Sequence, residues 1–318
     1  MNKPGVILIT TLLVVMIMSV ISTQISKVFM VSLQREAYMD FSNLSYQVLI
    51  SAESQAIKRL QQEMNLYGNK LRSQDPLLKN NIFYPIGSRT LEISVQDAGN
   101  CFNLNSLFIP KQGKYEINKP QQEWLERLLR LKLIDEINIQ SFVDQLIDWV
   151  DKDNQPRNFG AEDYFYNGPA SQIKQFTSKR LLTYLSEIKN LPILSQFNFH
   201  KFTEDICVLP YSNRQNLNIN TLKAEDSMLL AAFFSENNLE FVSSQIINFP
   251  EEGYDDVRSF TEKFPDSIQY PQTVLSLNSR TFRLKSRISD ENIFAELETL
   301  VILDVSNQSK ILNRDFNL

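Results

Sequence analysis

Residues 146–166, LIDWVDKDNQPRNFGAEDYFY, carry the densest set of chemically capable side chains in this 318-residue chain. Five carboxylates stand there: Asp148, Asp151, Asp153, Glu162 and Asp163. An EF-hand loop draws ligands from its first, third, fifth and twelfth positions and needs glycine at the sixth. Counted from Asp151, the third, fifth and twelfth positions are Asp153, Gln155 and Glu162, but the sixth is Pro156 and Gly160 comes late. The spacing excludes that motif and leaves a loop of hard oxygens turning back on itself, which calcium accepts because it tolerates irregular geometry. A solvated acidic turn behind an amphipathic helix fits the same residues. A carboxylate pair for glycoside hydrolysis is a third reading, with no other signature to support it.

Other reactive groups are few. The one histidine, His200, lies among aromatics in NFHKF; this argues against a histidine-based metal site and reads as packing rather than as part of a triad. Cys101 and Cys207 are the two cysteines. They form no CxxC pair, so zinc-ribbon and thioredoxin chemistry are out. In an oxidising compartment they could close one long loop, and in a reducing one they would be small buried apolar groups. The composition, 43% hydrophobic and 22% charged, is that of a folded protein, and a net charge of −5 gives no footprint for a nucleic-acid partner.

The elements that must position the acidic loop begin with a long helix. From Val6 to Ser26 there is no charge, and about 20 apolar residues cross a bilayer. Apolar residues then recur at Ile25, Val28, Phe29, Leu33, Ala37, Phe41, Leu44, Val48, Ala52, Ala56 and Leu60. These steps of three and four predict that the apolar segment runs straight into an amphipathic helix. A signal peptide has a shorter apolar core and a small-residue cleavage site; SVISTQIS offers small residues, but the periodicity does not stop there.

Beyond the break at DPLLKNN, alternation at Leu91, Ile93 and Val95 predicts a half-buried strand. Two more strands, with Phe282, Leu284 and Ile288 on one face and AELETLVILDV after SDEN, read as an antiparallel hairpin. The middle is mostly helical by its periodicity, including KPQQEWLERLLRLKLI, INIQSFVDQLIDWVDKD, SKRLLTYLSEIKNL and LKAEDSMLLAAFFSEN. It reads as a helical unit inserted into a small sheet. An internal echo, NLNSL at 103–107 and NINTL at 218–222, places asparagines where helix N-caps belong. The second copy and the chain after it are similar to a helix-hairpin-helix module, but SENNLEF replaces the glycine hairpin and the continuation is acidic, so it reads as scaffold.

A short leader ending in glycine before an uncharged helix resembles the class III signal of type IV pilin-like proteins. DWVDKD followed by GAEDYFY, with NLN upstream and LNINT downstream, resembles the K-type minor pseudopilins of type II secretion over almost the whole chain. The resemblance implies an α+β, type IV pilin-like fold: a long N-terminal helix packed on an antiparallel β-sheet, with a large inserted α-helical subdomain. The implied organisation is a leader at 1–5, a transmembrane helix at 6–26, an amphipathic spine at 27–68, a β-sheet core from 69–105 and 273–318, and the insertion at 106–272. Prepilin peptidase cleavage between Gly5 and Val6, followed by methylation, is implied. The fifth mature position is then Thr10, where most pilins carry glutamate; one minor subunit class lacks it. The family's acidic motif implies structural calcium held by Asp151, Asp153, Glu162 and Asp163, with Asp148 in the same pattern but able to cap or pair instead. A Cys101–Cys207 disulfide fits if the two copies of the echo, each near one cysteine, converge at the base of the insertion.

The implied role is assembly rather than catalysis: initiating and capping the tip of a periplasmic pseudopilus. The partners would be I- and J-type minor pseudopilins, prepilin peptidase and the inner-membrane platform, with secreted substrates and the outer-membrane secretin beyond them and no nucleic acid. The location would be the bacterial inner membrane, single-pass, with the C-terminal domain in the periplasm. Alternatives from other classes are a signal-anchored periplasmic hydrolase using the acidic loop and a DNA-uptake pilin.

Overall fold

The computed structural model describes residues 4–66, 70–169, 174–213, 215–250, 252–264, 274–290 and 293–317. The chain runs as α1 (Pro4–Leu66), a short α2 (Pro76–Lys79), β1 (Ile82–Ile86) and β2 (Arg89–Asp97). A second group comes next: β3 (Phe102–Asn103), β4 (Phe108–Lys111), β5 (Lys114–Ile117), α3 (Lys119–Leu131), α4 (Glu136–Val150), α5 (Asp163–Tyr166), α6 (Phe199–Thr203) and β6 (Ile206–Cys207). It continues as β7 (Leu217–Asn218), α7 (Ser227–Phe234), α8 (Leu239–Ile247), α9 (Val257–Thr261) and β8 (Leu275–Ser276). The chain then returns in β9 (Thr281–Asp290), β10 (Ile293–Leu303) and β11 (Ser309–Asn317).

Helix α1 holds for 63 residues because neither proline nor glycine interrupts it between Val6 and Leu66. At 1.5 Å per residue it is about 95 Å long. Pro4 suits a first helical position, where its missing N–H costs nothing. Gly5 and Val6 therefore already lie in the helix, with no break between them; residues 1–3 and 67–69 lie outside the described residues. Ile7 to Asp40 are all exposed. Burial begins at Phe41 and continues through Ser45, Leu49, Ala52, Ala56, Leu60 and Met64. The apolar residues from Ile25 to Ala37 are thus uncovered among the described residues. Leu44 and Val48, expected on the core stripe, sit at its flank, because the buried line runs one residue later.

The sheet has five strands in the order β1-β2-β9-β10-β11, all antiparallel. Leu91, Ile93, Val95, Phe282, Leu284, Ile288, Ala295, Leu297 and Val301 turn inward against α1. Arg283–Glu298 at 2.9 Å and Lys285–Glu296 at 3.0 Å pair across the sheet. Edge strand β11 lies beyond the two returning strands that the sequence predicts. Its side chains SKILNRDFN lack the alternation that marked the others. Arg314 from β11 reaches Glu53 of α1 with two bonds of 2.8 Å, and Thr299 adds a third at 2.6 Å. Burial alone would raise the Glu53 carboxyl, but these partners outweigh it and hold it below its ordinary value.

The inserted unit has its own core. Its apolar cluster runs from Phe102 to Leu275 and shares no buried residue with the helix–sheet cluster. Packing therefore moves its limits from 106–272 outward to β3 and β8. Within it, Trp124 of α3 sits edge-on to Phe102 and Phe233, each at 5.1 Å, and joins α3 to α7. Residues 178–184, expected as helix, are irregular chain, and Leu185–Asn190 and Pro192–Gln196 are 3₁₀ turns. Side chains distant in sequence hold this backbone instead, Asn105 at Leu182 among them. His200 is on α6, edge-on to Phe199.

Replacing Glu53 with alanine removes three bonds from a site that is 3% exposed. The expected cost is about 2 kcal/mol, seen as a lower urea midpoint with an unchanged slope in the detergent-solubilised chain.

Candidate metal centre

Helix α4 is N-capped by Asp135, whose side chain accepts from the Asn138 amide at 3.0 Å. All but four of its residues are buried, and it carries Asp144 and Asp148 inward, one turn apart, at 4% and 0% exposure. The helix stops at Val150 and Asp151 caps it. Carboxylates at this end oppose the helix dipole, so the arrangement needs compensation. Part comes from the loop, which folds back so that its amides face the helix. Asp148 Oδ2 accepts from Arg157 N at 3.1 Å, and Asp144 Oδ2 from Phe159 N at 3.2 Å. Gly160 permits this approach: a Cβ there would lie 1.8 Å from Asp148 Oδ2.

The loop brings Asp151, Asp153 and Glu162 together, with one carboxylate oxygen of each within 4.8 Å of the others. Glu162 is buried, Asp151 half-buried and Asp153 exposed. Asp148 Oδ1, Asp151 Oδ1 and both Glu162 oxygens are buried without a hydrogen-bond partner. Burial first, then Asp151 and Asp148, push the Glu162 carboxyl up to about 7. Burial, then Asp153 and Asp148, push Asp151 up to about 6. Asp148 is also raised, mainly by burial, against the opposing Arg157 amide and guanidinium. The Tyr166 hydroxyl is a further buried group without a partner, shifted upward by burial and by Asp148 and Glu162. Clustered acids deprived of water and of donors are the environment a hard divalent cation relieves. The donor set fits calcium.

Asp163 does not join this group. It accepts from Thr177 N and Oγ1, both at 2.8 Å, and pairs with Lys179 at 3.0 Å. Burial works to raise its carboxyl, but these partners prevail and lower it. It fastens the returning chain, while Asp148 takes the inward position. The signal for Asp148 was in the sequence: Asp148 and Asp151 are three apart, which puts them on one side of a helix end.

The asparagine echo explains how the loop is held. Asn105 accepts from Leu182 N at 3.0 Å and donates to Leu182 O and Leu209 O at 2.9 and 2.8 Å. Asn103 accepts from Leu209 N and donates to Tyr211 O, both at 2.9 Å. In the second copy Asn220 brackets Tyr254 through its N and O at 2.7 and 2.9 Å, and Asn218 donates to Leu71 O at 3.0 Å. Each first asparagine also caps its own 3₁₀ turn, as expected of the echo. The parallel pairings repeat too: β3 with β6 and β7 with β8. Cys101 and Cys207 are joined as a disulfide, with Cα atoms 5.8 Å apart. Asn103 of the first copy pairs in register with Cys207, and Asn100, next to Cys101, accepts from Asn218 N of the second copy at 2.9 Å and donates to Thr221 Oγ1 at 3.0 Å, so the two copies meet beside the bridge. Thr10 lies on the exposed part of α1, its hydroxyl donating to Ile7 O at 2.9 Å.

Three comparisons bear on this architecture. A family model described as "Type II secretion system (T2SS), protein K" matches residues 100–211, the stretch holding the acidic loop and the disulfide. The chain is 25% identical to type II secretion system protein K of Aeromonas hydrophila, over 98% of this chain and 97% of that one. It is also 25% identical to type II secretion system protein K of Pectobacterium carotovorum subsp. carotovorum, over 90% and 88%. Its fold is similar to a chain in the crystal structure of the GspK-GspI-GspJ complex from the enterotoxigenic Escherichia coli type 2 secretion system. That match has a TM-score of 0.75 at 22% identity and covers 89% of this chain and 99% of that one.

Gly160→Ala forces its new methyl onto Asp148 or the Arg157 amide and opens the loop. The expected loss is about 2–3 kcal/mol, with early proteolytic cutting between α4 and α5. Gly87→Ala, whose Cβ would meet nothing within 4 Å but whose φ is +63°, is the control for a purely local backbone cost.

Proposed function

We infer that this chain is a type II secretion system protein K, a minor pseudopilin, and that it works by assembly rather than by catalysis. The observation that carries the reading is the fusion of a fully exposed apolar helix to a helix-on-sheet core, in a chain that matches a protein K over 98% of its length. In this reading residues 6–26 anchor the protein once in the bacterial inner membrane, and the sheet and inserted unit face the periplasm. Prepilin peptidase cuts between Gly5 and Val6, and the new N-terminus is methylated.

The proposed partners are I- and J-type minor pseudopilins, with the inner-membrane platform below and the secretin and secreted proteins beyond. The place is the tip. Thr10 stands where other subunits carry a glutamate for the subunit ahead, and a tip subunit has none ahead. The large inserted unit would also obstruct stacking of another subunit above it. Thr10 satisfies its own hydroxyl within the helix, so it enters the bilayer without an unpaired polar group. The test is N-terminal sequencing of the mature protein together with gold labelling of assembled fibres. A mature chain starting at Val6 and label confined to one end are expected; label along the fibre would sink the tip assignment.

We also propose that Asp148, Asp151, Asp153 and Glu162 hold calcium. Bound there, the ion supplies positive charge to a loop whose own carboxylates repel one another. Asp163, Thr177 and Lys179 hold the outgoing chain, and Asn105 holds its continuation. At a hundredfold excess over Kd the ion adds about 2.7 kcal/mol, which is about 4 °C in Tm for a chain of this size. Glu162→Gln should abolish most of that increment. A hydrolase reading predicts instead a variant of unchanged calcium response.

In chelator the pH dependence has a definite sign. The carboxyls of Glu162 and Asp151 rise from 4.5 to about 7 and from 3.8 to about 6. Their contribution is therefore complete below the unfolded values and is lost as pH rises through about 6 to 7. Metal-free protein should lose stability between about pH 4 and about 7, and Glu162→Gln should flatten that loss, as followed by thermal melts.

A further inference from the structure

Tyr166 ends the single turn of α5. The residue is 3% exposed, and its hydroxyl is buried without a hydrogen-bond partner among the described residues. A buried hydroxyl in that state is costly, and a phenylalanine in the same place would avoid the cost. The ring is held on two sides, edge-on to Trp149 at 5.1 Å and to Phe165 at 5.5 Å. Aromatic pairs of this kind have a preferred geometry, so the hydroxyl is kept in one place.

That place faces the acidic cluster. Asp148 and Glu162 are the two charges that act on the hydroxyl. Tyr166 N donates to Glu162 O at 3.3 Å, so the two residues stand one helical turn apart, where side chains meet. Of the four carboxylates proposed as calcium ligands, three already have an amide donor. Asp148 has Arg157 N at 3.1 Å, Asp153 has Gln155 N at 2.9 Å, and Asp151 has the Asp153 amide. Both Glu162 oxygens are buried with no partner among the described residues. A carboxylate without a donor and a hydroxyl without an acceptor thus stand at the two ends of α5.

We infer that Tyr166 is a positioning residue of the cation site: its hydroxyl donates to one Glu162 oxygen and leaves the other turned toward the ion. This rests on the calcium reading and adds a residue that is not itself a ligand. Calcium takes carboxylates, carbonyls and waters, whereas a phenol O–H is a donor. Ligating carboxylates are held by such outer hydrogen bonds, and losing one costs about 10–100-fold in metal affinity. Asp148 is the poorer acceptor, because Arg157 N already binds its Oδ2 and the Arg157 guanidinium lies 3.9 Å from its Oδ1. The hydroxyl and Glu162 are not bonded to each other in the structure described. The bond is therefore one that Glu162 makes on turning to the ion, and its effect falls on binding rather than on the metal-free fold.

The test is calorimetric calcium titration of the full-length, detergent-solubilised chain, with thermal melts in chelator alongside. Tyr166→Phe keeps the ring between Trp149 and Phe165 and removes only the hydroxyl. Its calcium Kd should rise about tenfold or more, while its Tm in chelator equals or exceeds that of the wild type. Tyr164→Phe, the same change on a side chain that is 63% exposed, is the control and should leave both values unmoved. Calcium should also shift the tyrosine absorption of the wild type, and Tyr166→Phe should lose that shift. An unchanged Kd in Tyr166→Phe, or a drop in Tm as large in chelator as in calcium, overturns the inference and leaves the calcium reading standing. A wild-type chain that takes up no calcium overturns the calcium reading itself.

Discussion

Four buried asparagine side chains hold this molecule's long-range geometry. A primary amide offers a donor and an acceptor side by side, as a peptide group does, so it can satisfy a distant piece of backbone the way a neighbouring strand would. Asn105 does this for residue 182 and Asn220 for residue 254, across 77 and 34 positions. Asn103 and Asn218 extend the pattern to residues 209 and 71. The irregular chain these amides secure has no ladder of its own, and its buried peptide groups would be costly without them. The acidic loop is suspended between such fixed points, α4 on one side and Leu182 on the other. Remove the brackets and the carboxylates have no reason to converge.

The same logic separates what the sequence discloses from what it conceals. Helix α1, the hairpin β9–β10 and strand β2 are legible because burial on one face imposes a period on the residue types. The acidic cluster is legible as composition. Its geometry is not: Asp163 sits beside Thr177 and Lys179 while Asp148 faces inward from α4, and neither fact is local. Residues 178–191 carry a helical period yet do not form an α-helix, since bonds from Asn105 outrank propensity there. Strand β11 shows little alternation because an edge strand has only one neighbour and partial burial. The asparagine echo reads as helix capping, which is true, but its brackets reach segments far away that no short window contains.

The joint between the two cores has a similar design. Asp97 at the end of β2 is half-buried and accepts from Gly99 N at 2.8 Å, from Thr221 Oγ1 at 2.5 Å and from the Ser279 hydroxyl. Burial raises its carboxyl despite these donors. One side chain thus gathers the outgoing strand, the second echo and the returning chain. With Asn218 bound to Leu71 O, the inserted unit is fixed to the sheet at several adjacent points. Forces applied to the inserted unit would be transmitted to the spine rather than absorbed by a linker.

The clamp between Glu53 and Arg314 spans 261 positions. The spine is made long before β11 exists, and until then Glu53 lacks its Arg314 partner and must remain hydrated. The inserted unit, with its separate core and its disulfide, can fold in the interval. The sheet cannot, because β2 pairs with β9 and the whole insertion lies between them. Completion of the helix–sheet face therefore reports that the entire chain has been made, and an unfinished chain lacks the Glu53–Arg314 clamp that a finished one presents.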